Sequence, residues 1–243
     1  LKDLFARFKS WELAASGYNA GEVASSIAVK TVLDLASEAC NREDRAATEP
    51  DTGMMRQTIV LRDAIARSNK IIHQTANSQS SCEGMGTTIV ACLFYDDKIS
   101  IAHVGDSRLY RVRQGRLEQI TMDHSLLQEL VDRGFYSAEE AQRSTNRNYV
   151  TRALGVEPTV EVEVHEYEVL PDDIYLLCSD GLCDMVEDDD IHLTISTFSA
   201  NLDTVGQQLI QLSNDNGGRD NISVQLIKVL EPFPARVTLA NKL

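Results

Sequence analysis

The sequence lacks several features that would fix its cellular place or chemistry at once. No apolar run in its 243 residues is as long as a membrane span. The first eleven residues mix Lys and Arg with apolar residues and have neither the apolar core nor the cleavage site of a signal peptide. The five cysteines are odd in number, and no pair has zinc-finger spacing. We therefore expect a cytoplasmic protein with reduced thiols.

Positive charge is also in short supply. Lys and Arg total 23 against 37 Asp and Glu, which gives a formal net charge of −14. This balance argues against nucleic acid or an anionic membrane as the main partner. It suits a protein that gathers carboxylates around cations. Hydrophobic residues make up 43% and charged residues 25%, as in an ordinary globular protein.

The hydrophobic pattern predicts a mixed architecture. Apolar residues recur at helical spacing over Gly21–Cys40 and Thr58–Gln74, and again over Asp188–Thr197 and Leu202–Asn214. Repeats, low-complexity tracts and proline-rich linkers are absent, so residues 1–243 are expected to form a single domain with a peripheral tail over 232–243. The order of elements predicts an α+β fold, a four-layer α/β/β/α sandwich of two antiparallel sheets flanked by helices.

The middle of the chain has strand character. Thr87–Tyr95, Ile99–Val104 and Leu109–Val112 are apolar and joined by short turns, which predicts one antiparallel meander. Val160–Val169 alternates at first, and its apolar face then shifts, which predicts a bulge near His165.

Three acidic positions stand next to strands. Asp180-Gly181 follows an apolar strand, Asp220-Asn221 precedes another, and Asp106 lies in a Gly-Asp-Ser-Arg connection. Each alone is explained by turn chemistry, because Asp and Gly tolerate turn geometry. Asp can supply the oxygen ligands that hard divalent cations prefer, on a short side chain. Together, in this order and with these flanking residues, the three positions look like a family signature.

Five ordered blocks resemble the type-2C (PPM) metal-dependent Ser/Thr protein phosphatases, in the bacterial single-domain form. The resemblance runs from about Gly17 to Val229. The blocks are Gly84-Met85-Gly86-Thr87-Thr88, Ala102-His103-Val104-Gly105-Asp106-Ser107-Arg108, Thr121-Met122-Asp123-His124-Ser125, Leu176-Leu177-Cys178-Ser179-Asp180-Gly181-Leu182 and Gly217-Gly218-Arg219-Asp220-Asn221-Ile222-Ser223-Val224.

The resemblance implies a metal centre of two Mn²⁺ or Mg²⁺ ions, to which a third ion can be added. Asp180, Gly181 and Asp220 match its metal-binding positions, and Asp123 matches an Asp that helps to bind the third ion. Supporting positions are Asp106, Ser179, Asn221 and His124. No side chain acts as nucleophile in the family, where a metal-activated water attacks phosphorus. The implied function is hydrolysis of phosphoserine and phosphothreonine on proteins, and the segment Arg133 to Gly155 matches a variable flap beside the site.

Two histidines are open to more than one interpretation. His103 lies inside an apolar strand, where a histidine is more often a hydrogen-bonded core residue than a ligand. His124 follows Asp123 directly and could orient that carboxylate.

One part of the family pattern is missing. Ala15-Ser16 stands where the family has Asp-Gly-Met-Gly-Gly, whose Asp bridges two metals. An altered N-terminal sequence, a natural pseudophosphatase, and substitution by Asp3 or Glu12 are the three explanations, and the first is favoured because the other blocks are intact. The alternative function is therefore a catalytically impaired pseudophosphatase that binds a phosphoprotein or a kinase. A hydrolase of small phosphoesters would share the same chemistry.

The resemblance also implies partners. Phosphorylated proteins are expected as substrates, together with a Ser/Thr kinase that acts on the same proteins. Neither nucleic acid nor a membrane is expected, and the protein is expected to be a monomer.

Overall fold

The structure is a computed structural model that describes residues 21–40, 48–49, 52–137, 140 and 149–234. Ala15-Ser16, part of the predicted flap and the tail from residue 235 lie outside the described residues. Within the described part of the chain, no helix is both long and apolar enough to cross a membrane.

Two long helices pack together on the first half of the fold. Helix α1 spans Gly21–Cys40, as predicted, and α2 spans Arg56–Ser78, which extends beyond the predicted Thr58–Gln74 at both ends. Alanines such as Ala24, Ala28 and Ala64 are buried between them, and these small side chains let the two backbones approach closely.

Over the ranges that the structure describes, seven strands form two antiparallel sheets. The first sheet has the order β1-β2-β5, and the second has the order β4-β3-β6-β7. The strands are β1 Ile89–Tyr95, β2 Lys98–Val104, β3 Arg108–Arg113, β4 Arg116–Gln119, β5 Glu163–Glu168, β6 Ile174–Cys178 and β7 Val224–Lys228.

The predicted single meander is wrong, because β2 and β3 belong to different sheets. The connection Gly105–Ser107 crosses from one sheet to the other. Gly105 has φ +109° and lies against Thr88, where a Cβ would come within 2.3 Å of the Thr88 side chain. Only glycine fits this sharp and crowded crossing, and it places Asp106 at the junction of the two sheets.

The predicted bulge near His165 is also wrong. Strand β5 pairs with β2 in unbroken register from Lys98↔Glu168 to His103↔Glu163. Val160, Val162 and Val164 pack against the core of α1, α2 and β1, whereas Tyr167 and Val169 pack in the cluster between the sheets. The apolar face changes because both faces of this regularly paired segment are covered.

Helices cover the second sheet on its outer face. The short helix α3 Leu126–Asp132 has no buried residue, and the single-turn α4 Asp180–Cys183 follows β6. The covering helices are α5 Asp188–Phe198 and α6 Leu202–Asp215. Ile191, Ile195, Val205 and Leu209 from α5 and α6 are fully buried with Leu176 of β6.

The two sheets share a third apolar cluster between them. Ile99 and Ile101 of β2 are fully buried with Leu109 of β3 and Tyr175 of β6. The layers therefore run helices, sheet, sheet, helices, and the predicted α+β sandwich is confirmed.

Candidate metal centre

Asp180 is positioned by a buried strand that turns directly into a helix. All five residues of β6 are buried, and Asp180 begins the single turn α4. Its Oδ1 accepts a hydrogen bond of 2.8 Å from the Gly181 amide. Burial and the nearby carboxylates of Asp106, Asp220 and Asp184 raise the pKa of Asp180 to about 7. Burial and like charges both disfavour the ionised form of a carboxylate, so they shift its pKa in the same direction.

Asp106 faces the same cluster from the crossing between the sheets. It is 9% exposed. Burial raises its pKa to about 6, and the charges of Asp123 and Asp184 add to the shift. The sequence interpretation gave Asp106 a supporting role, with backbone or Arg hydrogen bonds in view. In the structure the Arg108 guanidinium is directed to Asp123 instead.

Asp220 is held close to Asp180 by contacts between the ends of β6 and β7. Ser179 Oγ donates to the Asn221 carbonyl at 3.0 Å and accepts from the Ser223 amide at 3.0 Å. The Asp220 Oδ1 accepts from the Asn221 amide at 2.8 Å. Ser179 and Asn221, for which supporting roles are predicted, thus hydrogen-bond the two segments that carry the carboxylates to each other.

Gly181 allows two segments of the chain to pack closely, and the metal-binding role predicted for it stays a prediction. A Cβ on Gly181 would lie 2.3 Å from the Asn221 carbonyl oxygen, so the glycine permits the two segments to approach. Its own carbonyl accepts a 2.7 Å hydrogen bond from the buried Ser213 hydroxyl. These contacts explain the residue by packing.

Asp123 is ion-paired rather than open to a cation. Arg108 Nε lies 2.9 Å from Oδ1, and Arg108 Nη2 lies 2.8 Å from Oδ2. Gln119 Nε2 also donates to Oδ1 at 3.2 Å. In this structure a bidentate guanidinium satisfies both carboxylate oxygens, and the role of Asp123 at a third ion stays a prediction.

Sequence reasoning missed Asp184, which lies four residues after Asp180 at the end of α4. Its charge contributes to the raised pKa of both Asp180 and Asp106. The spacing of four residues places both carboxylates on one side of a helical turn, and this signal was available in the sequence.

A second polar cluster lies on the neighbouring sheet. His124 Nε2 is 3.1 Å from Glu163 Oε2, and His165 Nε2 is 2.8 Å from Glu163 Oε1. His103 stacks on His124 with ring centroids 4.6 Å apart. Thus His124 contacts Glu163 and not Asp123, and the expectation that it orients Asp123 is wrong.

His103 is a core histidine with one satisfied nitrogen. Its Nε2 lies 2.7 Å from the Met122 carbonyl, so it carries the proton, and its buried Nδ1 has no partner. Burial lowers the pKa of His103 to about 4. The ring is therefore neutral at ordinary pH.

His103, His124 and Glu163 have ligand atoms close enough to surround a cation. The hydrogen bonds favour another interpretation. His124 Nδ1 accepts from the Gly105 amide at 3.1 Å, so the proton of the neutral ring is on Nε2 and points at Glu163. A metal at Nε2 would require the ring to lose its last proton, and we interpret this group as a hydrogen-bonded support.

Comparison with known proteins identifies what the chain is similar to. Residues 14–227 match the family model described as Protein phosphatase 2C. The Serine/threonine phosphatase stp of Listeria welshimeri is 38% identical over 212 residues, which cover 87% of this chain and 80% of that protein. The Serine/threonine protein phosphatase PstP of Mycobacterium tuberculosis is 35% identical over 220 residues, which cover 88% of this chain and 39% of that protein.

Solved structures agree with the sequence matches. A crystal structure of Mycobacterium tuberculosis PstP/Ppp superposes with a TM-score of 0.75 at 32% identity, covering 87% of this chain and 85% of that one. A structure of the PstP catalytic domain in complex with two manganese ions gives a TM-score of 0.73 at 33% identity, covering 89% and 85%.

Proposed function

The chain belongs to the protein phosphatase 2C family, and we propose that it hydrolyses phosphoserine and phosphothreonine on proteins with bound Mn²⁺ or Mg²⁺. One observation of the structure carries this proposal. Asp106, Asp180 and Asp220 come from three separate segments and meet where the two sheets join, close enough for the Asp106 and Asp220 charges to raise the pKa of Asp180.

The donor set fits a hard divalent cation. Short carboxylates that repel one another bind such a cation and are relieved by it. We propose Asp180, Asp220 and Asp106 as the ligands, with Asp184 at the edge of the site. A bound cation supplies two effects, a lower pKa for water and neutralisation of charge on the phosphoryl oxygens.

Arg108 and Tyr110 balance the negative charge of the carboxylates beside the proposed ligands. Arg108 neutralises Asp123 through two hydrogen bonds, and Tyr110 accepts a further one of 2.9 Å from Arg108 Nη1. Tyr110 in turn donates to Asp188 at the start of α5. The negative charge available to a cation is therefore concentrated at Asp106, Asp180 and Asp220.

The missing Asp-Gly-Met-Gly-Gly bears on the number of ions. The carboxylate that bridges two ions in the family has no counterpart at Ala15-Ser16. We propose that one ion binds tightly to the described carboxylates and that a second binds more weakly. The relatives reported above are all named as phosphatases, and none of them favours a non-catalytic binding module.

The finer features remain part of the same proposal. We propose that residues 1–243 act as one catalytic domain, that the protein is a cytoplasmic monomer, and that its substrates are the phosphoprotein products of a Ser/Thr kinase. Phosphatase relatives support phosphoprotein substrates. The net charge of −14 supports the exclusion of nucleic acid and anionic membranes.

A metal add-back experiment tests the function. The purified chain is stripped with a chelator and assayed on p-nitrophenyl phosphate and a phosphothreonine peptide, before and after addition of Mn²⁺ or Mg²⁺. We expect hydrolysis only after addition. Asp180→Asn is compared with Asp215→Asn, a matched exposed carboxylate that accepts from Gln211 at the end of α6. Activity that survives chelation, or equal loss in both variants, would contradict the proposal.

A further inference from the structure

His124 holds Gly105 through two hydrogen bonds in opposite directions. The His124 amide donates to the Gly105 carbonyl at 2.9 Å, and the Gly105 amide donates to His124 Nδ1 at 3.1 Å. Both residues are buried. Because Gly105 immediately precedes Asp106, this pair of bonds fixes the backbone from which the Asp106 carboxylate projects.

Thr88 and His124 both contact the crossing, and Thr88 Oγ1 also lies 2.9 Å from Ser107 Oγ. Gly105 has a positive φ and lacks a side chain, so its conformation is set by what surrounds it. Thr88 closes one side by contact, and His124 supplies the hydrogen bonds on the other. A glycine amide that lost its acceptor here would be a buried, unsatisfied donor.

Glu163 fixes the ring that holds Gly105. His124 can accept at Nδ1 only while its proton is on Nε2, and Glu163 Oε2 accepts that proton at 3.1 Å. His165 binds the other carboxylate oxygen at 2.8 Å and restricts rotation of the carboxylate. Glu163 stands directly opposite His103 in the β2–β5 register, so the sheet itself positions this acceptor.

We propose that His124 is a positioning residue for the metal ligand Asp106, and that Glu163 acts through His124 by fixing its tautomer and orientation. The path runs from Glu163 on β5 through the His124 ring to the Gly105 amide and then to Asp106. This inference rests on the proposed function, since it takes Asp106 as a ligand. It assigns a role in metal binding to residues that touch neither the cation nor the substrate.

Matched substitutions separate the hydrogen bond from the space that the ring fills. His124→Asn keeps an acceptor oxygen near the position of Nδ1, whereas His124→Leu keeps bulk without an acceptor. Glu163→Gln keeps an acceptor for the Nε2 proton, whereas Glu163→Leu does not. Ser125→Ala is the control, because Ser125 caps α3 by accepting from the Gln128 amide and has no contact with Gly105 in this scheme.

Manganese titration calorimetry is run on the full chain at a temperature where every variant is folded. We expect His124→Leu and Glu163→Leu to weaken Mn²⁺ binding by roughly 10- to 100-fold, the usual effect of losing a residue behind a ligand. His124→Asn and Glu163→Gln should stay close to the parent. Ser125→Ala should melt earlier with unchanged affinity. Parent-like affinity in both Leu variants, or equal weakening in Leu and Asn, would overturn the proposal.

Amide exchange tests the same contact without metal. We expect the Gly105 amide to exchange slowly in the metal-free parent and in His124→Asn, and much faster in His124→Leu. If the parent itself bound no Mn²⁺, the proposed function would fail. The exchange measurement would still show whether His124 holds the Gly105 amide. A Gly105 amide that stays protected in His124→Leu would show that the His124 ring does not hold it.

Discussion

The two ends of strand β6 carry carboxylates in opposite electrostatic states. Asp173, just before the strand, is 1% exposed and accepts from Arg113 at 2.8 and 2.6 Å, from the Leu170 amide and from the Tyr175 hydroxyl. These hydrogen bonds outweigh burial and lower its pKa. Asp180, just after the strand, has carboxylates for neighbours, and its pKa rises to about 7.

Five residues of strand therefore separate a scaffold carboxylate from a functional one. Burial acts on both in the same direction, so the sign of each pKa shift is decided by the neighbouring charges. A compensated carboxylate stabilises the fold, whereas an uncompensated one costs stability that a ligand can recover. The predictions below test this difference by substituting compensated and uncompensated carboxylates in turn.

The largest effect is expected at the uncompensated end. Asp180→Asn should lower metal-dependent phosphatase turnover by about 1000-fold, since loss of a metal ligand removes several kcal/mol of transition-state stabilisation, about 1.4 per tenfold. The metal-free variant should melt at the same temperature as the parent or higher, because one repelling charge is gone. The measurement is turnover at saturating Mn²⁺ together with a thermal melt in chelator. A large drop in the metal-free melting temperature would make Asp180 a scaffold residue.

At the compensated end the expectation is reversed. Asp173→Asn should destabilise the fold by about 3 kcal/mol, because the Arg113 charge is left beside an amide. Mn²⁺ affinity measured below the melting transition should be unchanged. Glu118→Gln is the control, since Glu118 is exposed and its pair with Arg111 should contribute about 0.5 kcal/mol or less. Denaturant unfolding of both variants gives the comparison, and equal losses would contradict it.

The pH dependence of stability should separate the two ends further. A raised folded-state pKa means that the stability of Asp180 is fully present below its unfolded pKa and is lost as pH rises through about 7. Asp173, with a lowered pKa, contributes stability that is lost only as pH falls below its unfolded value. Without metal, the advantage of Asp180→Asn over the parent should therefore grow between pH 5 and 8.

That difference should reach about 2 kcal/mol, with the partial exposure of Asp180 reducing it. The two-variant comparison matters because buried His103, with its pKa lowered to about 4, favours stability in the opposite direction as pH rises. Subtracting the parent from the variant removes this common contribution. A difference that stays constant with pH would show that Asp180 does not titrate in this range.

Much of the fold follows from periodicity, and the errors have a common cause. Gly21–Cys40 is observed at its predicted bounds, because its apolar pattern and flanking residues are local signals. The meander failed because a Gly-Asp-Ser connection between two sheets has the same local composition as a hairpin turn. Which sheet a strand joins is decided by tertiary packing.

The site divides in the same way. Family blocks located Asp180 and Asp220, and the structure brings them together with Asp106. Which of Asp106 and Asp123 is free depends on where the Arg108 guanidinium points, and that direction is absent from the sequence. Glu163 could not be found by motif at all, since it reaches His124 only through the β2–β5 register.

The smallest effect is expected at Asp123, which lies beside the acidic cluster yet resembles Asp173 in being compensated. Asp123→Asn breaks the bidentate pair with Arg108. The side chain of Asp123 is 16% exposed and that of Arg108 is 22% exposed. Arg108 keeps its hydrogen bond to Tyr110, so the loss should be about 1 kcal/mol, between the values for exposed and buried pairs. Mn²⁺ affinity should change little, because the proposed ligands are other carboxylates and the Asp123 oxygens are already bound by the Arg108 guanidinium.

Asp106→Asn is the matched comparison for Asp123→Asn, because both residues face the same cluster and only one is paired. It should weaken Mn²⁺ binding and leave the metal-free melting temperature unchanged or higher, the reverse of the Asp123 result. Calorimetric Mn²⁺ titration and a melt in chelator on the two variants decide the assignment. If Asp123→Asn loses the ion while Asp106→Asn retains it and melts earlier, then the Arg108 pair opens when metal binds, and Asp123 is the ligand.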